Sequence, residues 1–399
     1  MALPATTEPP VTLDTLLAGL EEITPIIEKH RDESEELGRL SDPVVEALKE
    51  AGFLRLYVPR CYGGLEIDPM TAFHLIERIS RLDASVGWLV ANASALAFFA
   101  SHLSEAGTDV IFGSDAKAAV CGALNSMGKA VPEDDGYRFS SQTPFVSGCS
   151  FSDWCVMQGQ VHRDDGRSDA EPEIIALFCP MKDAEIIDNW DVIGMRATAS
   201  NDVRVKDLLV PKSLTFPLET LGEQRQNRHF QGDLYRMPVS HNVPLHILPV
   251  LGALRAALDW VSDLAQNKTP TFTSSKLRHR SIAQVNYAKA LGRYRASYAL
   301  LETALRRVWE KVRAGQPVTA EDKAEFFLSA AYANEMIAEG IRVAGLVAGT
   351  SWIRKGNPLE RAIRDIEVLH RHAYMNESRF GTVSQVLWGL EPDFGFISI

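Results

Sequence analysis

The chain has 399 residues, 46% of them apolar and 23% charged, with 41 Lys plus Arg against 52 Asp plus Glu and a formal net charge of −11. This is the composition of a globular protein large enough for two or three domains and a sizeable core, and the acidic balance argues against a nucleic-acid coat or a polybasic membrane anchor. No run of about 18 uninterrupted apolar residues occurs, which argues against a membrane span, and the opening MALPATTEPPVTLDTLL lacks the basic-then-apolar order of a secretory signal and reads as a short disordered lead.

Residues 11–117 read as a helical domain. Leu13, Leu16, Leu17 and Leu20 recur at helical spacing. Ser41-Asp42-Pro43 is a helix start that runs through Val44, Val45 and Leu48 to a stop at Gly52. Pro69 opens a helix carrying Phe73, Leu75, Ile76 and Ile79, and an apolar helix follows over 85–103. The character changes at Ala118. Short β-type runs at 119–123, 137–145, 154–161, 174–180 and 203–210, separated by loops rich in Gly, Asp and Pro (132–136 and 163–172), predict a central antiparallel β barrel or sandwich over 118–217. The polar segment 218–243 reads as a linker or mobile loop. From 244 to 399 the helical period returns, with long helices predicted at 245–266, 281–313, 320–348 and 359–390 and a break at Gly315-Gln316-Pro317. The fold class is therefore α+β and multidomain: helices, a β unit, then a long-helix bundle.

Five cysteines (Cys61, Cys121, Cys149, Cys155, Cys179), an odd number at no metal-ligand spacing, read as reduced thiols of a cytoplasmic protein. No Walker loop, GxSxG elbow, HExxH, paired CxxC or GxGxxG is present. Three constellations remain. Ser147-Gly148, followed by Ser150, Ser152 and Trp154, offers hydroxyls and amides to a polar ring and an indole to stack on it, or is an ordinary Ser-rich turn. The run from Gly194 to Asp202 is a hairpin-type loop with several donors, or only a polar tip. Arg361, Arg364, Asp365, His370 and His372 fall on one predicted helix, with Arg361 and Arg364 a turn apart and Asp365 and His372 two turns apart. A histidine there trades protons near neutral pH or fills a core.

Together these residues resemble a known family. GFLRLYVPRCYGGLEIDP (52–69), ASVGW (84–88), PFVSG (144–148) with Trp154, WDVIGMRATASNDVRV (190–205) and RAIRDIEVLHRHA (361–373), in this order, are similar to the two-component (group D) flavin-dependent monooxygenases built on the acyl-CoA dehydrogenase fold. The resemblance implies reduced flavin, FMNH2 or FADH2, supplied by a separate NAD(P)H-flavin reductase. It implies O2 as cosubstrate, a C4a-hydroperoxyflavin, a small aromatic or heteroaromatic substrate, indole-like or phenolic, and a homotetramer, with neither nucleic acid nor membrane as partner. It implies that Ser147 sits near flavin N5, that Trp154, Thr198 and Ser200 line the isoalloxazine, and that His372 lies near the C4a edge as donor or acid/base. Arg278, Arg364 and Asp365 complete the expected cofactor set, Arg278 as a phosphate ligand.

The chain also departs from the family. Relatives that hydroxylate phenols carry a histidine in the helix after the ASVGW segment, where Leu96 stands here. The expected substrate wall is Asn92, Leu96 and Phe99, suited to an indole or a thiophene. An acyl-CoA dehydrogenase-like FAD oxidoreductase is the alternative, although neither Glu367 nor Glu377 falls at a matching base position. A non-catalytic flavin-binding relative is the second.

Overall fold

The computed structural model describes residues 11–163, 172–223 and 225–398; residues 1–10 of the expected lead and most of the 163–172 loop lie outside them, and the rest of that lead enters a helix at Leu13. The chain opens with six helices: α1 (Leu13–Lys29), α2 (Arg31–Leu37), α3 (Asp42–Glu50), α4 (Pro69–Leu82), α5 (Ala84–Phe99) and α6 (Glu105–Phe112). Their starts follow from local chemistry. The Asp68 carboxylate accepts the Met70 and Thr71 N–H groups with Pro69 behind it, and Asp83 accepts the Val86 N–H. α5 is apolar all round and correspondingly buried, with Asn92 its one half-buried residue.

Seven strands follow among the described residues: β1 (Val120–Glu133), β2 (Gly136–Val146), β3 (Trp154–Val161), β4 (Ile174–Pro180), β5 (Glu185–Ile187), β6 (Asn201–Pro211) and β7 (Thr215–Pro217). They form one mixed sheet in the order β5-β6-β2-β1-β3-β4-β7. The expectation of an antiparallel barrel or sandwich is corrected here: β1 and β3 run parallel, pairing Val120 with Trp154, and the edge strands β5 and β7 do not meet. The parallel pair arises because β2 turns back along one side of β1, and the chain then crosses through 147–153 to the other side. β3 and β4 match the expected runs. β1 extends ten residues past its apolar start, through the half-exposed Asn125 to Lys129 stretch, and its register against β3 shifts between Gly122 and Met127.

The bundle comprises α7 (Val243–Asn267), α8 (Ser281–Arg313), α9 (Ala320–Ala348), α10 (Pro358–Leu369) and α11 (Ser378–Leu387). The expected single helix over 359–390 is two helices joined by a turn. The segment 218–243, expected as a mobile linker, instead carries three short 3-10 turns and buries Leu221, Phe230, Tyr235, Met237 and His241. Two helical stretches, Ala84–His102 and Val239–Asn267, are long and apolar enough to span a membrane by length and composition, and both lie mostly buried inside the fold. Three helices meet closely at Ser80 of α4. A Cβ on Gly87 of α5 would lie 2.0 Å from Ser80 Oγ, and one on Gly252 of α7 would lie 2.4 Å from Ser80 Cβ. Only glycine permits this approach, which sets α5 and α7 side by side against α4.

Candidate active site

The first wall of a cleft is made of hydroxyls. Phe145 (φ 61°) and Gly148 (φ 77°) turn the chain at the end of β2, and Met195 (φ 53°) and Ala199 (φ 45°) bend the loop before β6. Left-handed backbone at three non-glycine residues is costly, and it is held here by specific bonds. Gly148 N–H donates to Thr198 O (2.8 Å), and Asn201 Oδ1 accepts the N–H groups of Asn189 and Trp190 (2.9 Å each). Asp365 Oδ1 accepts the Met195 N–H at 2.6 Å. Burial pushes the Asp365 carboxyl up to about 7, against the opposing effect of that bond. Gly194 lies so near α10 that a Cβ would stand 2.2 Å from Arg364 O.

These loops bring Ser147, Ser200 and Thr198 into one chain. Trp88 Nε1–H donates to Ser147 Oγ (2.9 Å), Ser147 and Ser200 hydroxyls are 2.7 Å apart, Ser200 and Thr198 hydroxyls are 2.7 Å apart, and Thr198 Oγ1 donates to Met195 O (2.8 Å). Counting protons fixes its direction. The Thr198 proton goes to a carbonyl, so Ser200 donates to Thr198 and Ser147 donates to Ser200. Ser147 Oγ thus accepts from Trp88, has its own proton engaged, and keeps one lone pair for an incoming N–H.

The second wall is made of rings. Trp88 of α5 meets His246 of α7 and His372, each with centroids 5.2 Å apart, and the two imidazoles stack at 6.3 Å and 8°. Tyr374 closes the group, 5.0 Å from His372 and 5.7 Å from His246, and stacks on Phe396. His372 does not share a helix face with Asp365, as the sequence predicts, because α10 ends at Leu369 and His372 sits in the turn beyond it. That turn is clamped from α9: Asn334 Nδ2 donates to His370 O (3.0 Å) and Met375 O (2.8 Å).

The two imidazoles present opposite edges. His246 Nδ1 lies 2.8 Å from Asn242 O, so it carries the proton and Nε2 is an acceptor. His372 Nδ1 accepts the Tyr374 N–H (3.3 Å), so its proton resides on Nε2, a donor. Burial pushes His246 down to about 4 and His372, with His246 beside it, to about 3, so both are neutral at pH 7.

Traces of exposure on otherwise sealed helices mark the cleft face. On α5, Trp88 and Leu96 are 6% exposed and Phe99 4%, whereas Val90, Ser94 and Phe98 are sealed. With Asn92 they form a stripe at helical spacing, so the three expected substrate residues share a face with Trp88. At the start of α7, His246 and the preceding cap residue Asn242 retain 4% each, beside the sealed Leu245, Ile247 and Leu248.

Other expected site residues stand elsewhere. Arg364 pairs with Glu35 and Glu360, each at 2.6 Å, and donates to Ile193 O; Arg361 pairs with Asp32 and Glu35. Both arginines tie α10 to α2, and Arg364 also ties it to the 190–200 loop. Arg278 is exposed in a 3-10 turn and bonds Gln266 Oε1 (2.8 Å). Trp154 is half-buried at the start of β3, opposite Val120 and Pro180. Glu367 and Glu377 are exposed, so neither is a base buried beside the rings. No grouping of three or more potential metal ligands occurs among the described residues, and all five cysteines are free thiols. Sequence reasoning did not single out His246, Asn242 or Tyr374. The proximity of Tyr374 to His372 was the one available signal.

Two models of one family match the chain: the acyl-CoA dehydrogenase N-terminal domain over residues 20–111 and the C-terminal domain over 245–377, together more than half its length. The chain is 29% identical over 360 residues to the indole-3-acetate monooxygenase of Pseudomonas putida, covering 90% of each protein. It is 26% identical over 373 residues to the flavin-dependent monooxygenase oxygenase subunit HsaA of Rhodococcus jostii, covering 90% of this chain and 94% of that one. The fold is also that of XiaF from a Streptomyces species, solved with FADH2 and glycerol (TM-score 0.89, 22% identity, 96% and 97% coverage). The chain belongs to the acyl-CoA dehydrogenase superfamily, among its two-component flavin-dependent monooxygenases.

Proposed function

We propose that the protein is the oxygenase component of a two-component system that takes reduced flavin from a separate NAD(P)H-flavin reductase and inserts one atom of O2 into a small aromatic or heteroaromatic substrate. The observation that carries the reading is the polarity of the hydroxyl chain. Ser147 Oγ offers a lone pair and no proton, which fits an N–H at flavin N5 in the reduced state and suits the bare acceptor N5 of oxidised flavin less well. Thr198 and Ser200 hold Ser147 in that state, and Trp154 is assigned to the ring's flank. Reduced flavin, when bound, supplies the two electrons that activate O2.

The remaining steps belong to the protein's own groups. His372 stays neutral and offers Nε2–H as a hydrogen-bond donor to an oxygen atom in the cleft. Trp88, Leu96, Phe99 and Tyr374 keep water out and give an aromatic ring an apolar seat. Asp365 positions the Met195 loop rather than touching the reacting groups.

Exposed Tyr332, Leu346, Ile353, Leu387, Trp388 and Leu390 on the C-terminal helices and the turns beside them would lie in water in a monomer, which supports assembly as a homotetramer. In that assembly the exposed Arg278 would reach a flavin phosphate across a subunit contact, and Arg364 acts on the flavin loop only through Ile193. Five free thiols suit the cytoplasm. The test supplies FADH2 or FMNH2 anaerobically, then isotopically labelled O2 and an aromatic substrate. Tighter binding of reduced than oxidised flavin and one labelled oxygen in the product are expected. Reduction of bound oxidised FAD by an acyl-CoA, with no label incorporated, would overturn the reading.

A further inference from the structure

The ring wall holds two hydrogen-bond acceptors that no protein group uses. His246 has its proton on Nδ1, bonded to Asn242 O, and among the described residues nothing bonds its Nε2. One turn earlier, Asn242, the residue that precedes α7, donates through Nδ2 to Val239 O (3.1 Å), which fixes the amide and leaves Oδ1 buried without a donor. Residues four apart share a helix face, and both keep 4% exposure, against 0–1% at Val243, Leu245 and Ile247. A buried acceptor left unpaired is costly, as Asn242 Oδ1 is, and with the unbonded His246 Nε2 beside it on one face it marks a place where an incoming molecule brings the donors.

We propose that His246, seconded by Asn242, is the residue that reads the substrate: its Nε2 accepts a hydrogen bond from a ring N–H or O–H. The substrate class narrows accordingly to aromatic compounds with a donor on the ring, such as indoles and phenols, and excludes plain thiophenes and furans of the same shape. The division of labour with His372 follows from geometry. The imidazoles are parallel and 6.3 Å apart, one offering a lone pair and the other an N–H. A donor-bearing ring held at His246 is therefore oriented relative to the oxygen that His372 addresses. Leu96 of α5 brings no polar atom, and Asn92 is the polar residue that α5 adds to this face. An acceptor that polarises a ring N–H also leaves more electron density on the ring, which favours attack by an electrophilic oxygen.

This inference rests on the monooxygenase reading, and its test is separable because it measures binding and needs no turnover. Dissociation constants for indole and benzofuran, isosteres that differ by N–H against O, are measured anaerobically with the reduced flavin complex. The wild-type protein is expected to prefer indole by about 10-fold or more. His246→Leu is expected to bring the ratio near one, and His246→Gln, whose amide oxygen reaches the same region, to restore part of it. Taking the ratio within one preparation cancels any unfolded fraction. A wild-type ratio below about threefold, no binding of either ring, or a ratio unchanged in both His246→Leu and Asn242→Leu would overturn the proposal. Labelled-oxygen incorporation tests the enzyme class independently.

Discussion

The two walls of the cleft differ in how they treat their polar atoms. On the hydroxyl wall, Trp88, Ser147, Ser200 and Thr198 form a directed chain ending on Met195 O, every proton has an acceptor, and the carrying loops are pinned by Asp365 and by Gly148. On the ring wall the groups stand on helices and a clamped turn, yet His246 Nε2 and Asn242 Oδ1 have no protein partner. A wall whose bonds are all made in advance suits a ligand that never changes, namely the cofactor. A wall with spare capacity suits the ligand that must be chosen.

Four experiments would break or sharpen this contrast. The largest effect is expected at the donor that faces both ligands. His372→Ala should lower coupled product formation about 100-fold, with the consumed O2 recovered as hydrogen peroxide, and parallel assays of product and peroxide check it. Equal coupling in the variant would remove His372 from the chemistry. Next, Gly194→Ala places a methyl 2.2 Å from Arg364 O and must displace the Met195 loop. Reduced-flavin affinity should fall about tenfold and stability by about 1–3 kcal/mol, while the ring wall's indole-to-benzofuran ratio stays as it was.

A double-mutant cycle reads the hydroxyl wall itself. Ser147→Ala leaves the buried Trp88 Nε1–H without an acceptor, at a cost of about 1–3 kcal/mol in urea unfolding. Trp88→Phe removes that donor, so the double variant should lose less than the sum of the two. Strict additivity would show that the bond does not matter.

The smallest effect is a pH trend. Burial pushes His102, His241 and His372 down to about 3 and His246 to about 4, against an ordinary 6.5. The unfolded chain therefore takes up protons first, and stability is lost as pH falls from 6.5 toward 4. Asp365, raised to about 7 from 3.8, has the opposite sign: it favours the folded state increasingly as pH falls across that range. Tm should drop by several degrees between pH 6.5 and 4, and more steeply in Asp365→Asn, where the counter-trend is gone.

Much of this was legible in the sequence where local chemistry decides. α8 and α9 begin and end where expected because Gly315-Gln316-Pro317 breaks the helix and Thr319 with Asp322 makes a capping box. β3 and β4 were legible as apolar runs. The second half of β1 was not, because its Gly, Ser and Lys residues belong to the strand only through pairing with β2 and β3. The open sheet was hidden for a related reason: parallel pairing of β1 with β3 is a matter of chain routing, which alternation does not encode. The end of α10 has no Gly or Pro to announce it. It is held by Asn334, 36 residues away from His370.

The same division holds at the site. Ser147, Thr198, Ser200 and His372, singled out through the family resemblance, lie about Trp88 in the structure, and Asn92, Leu96 and Phe99 share its face of α5. Arg364 was read as part of the cofactor set, but Glu35 and Glu360 neutralise it, and a carboxylate brought from α2 is invisible in the local sequence. His246 went unnoticed because a histidine on an apolar helix looks like filling. Its meaning depends on which nitrogen Asn242 occupies and on what the opposite edge faces.

The contact at Ser80 has a practical corollary. Where Gly87 and Gly252 press against it, the separation of α5 and α7 is governed by a spot that carries no side chain on either partner. The spacing of the helices that carry Trp88 and His246 is thus gauged away from those rings, and exchanging Ser80 for a bulkier residue would push the helices apart without altering either ring.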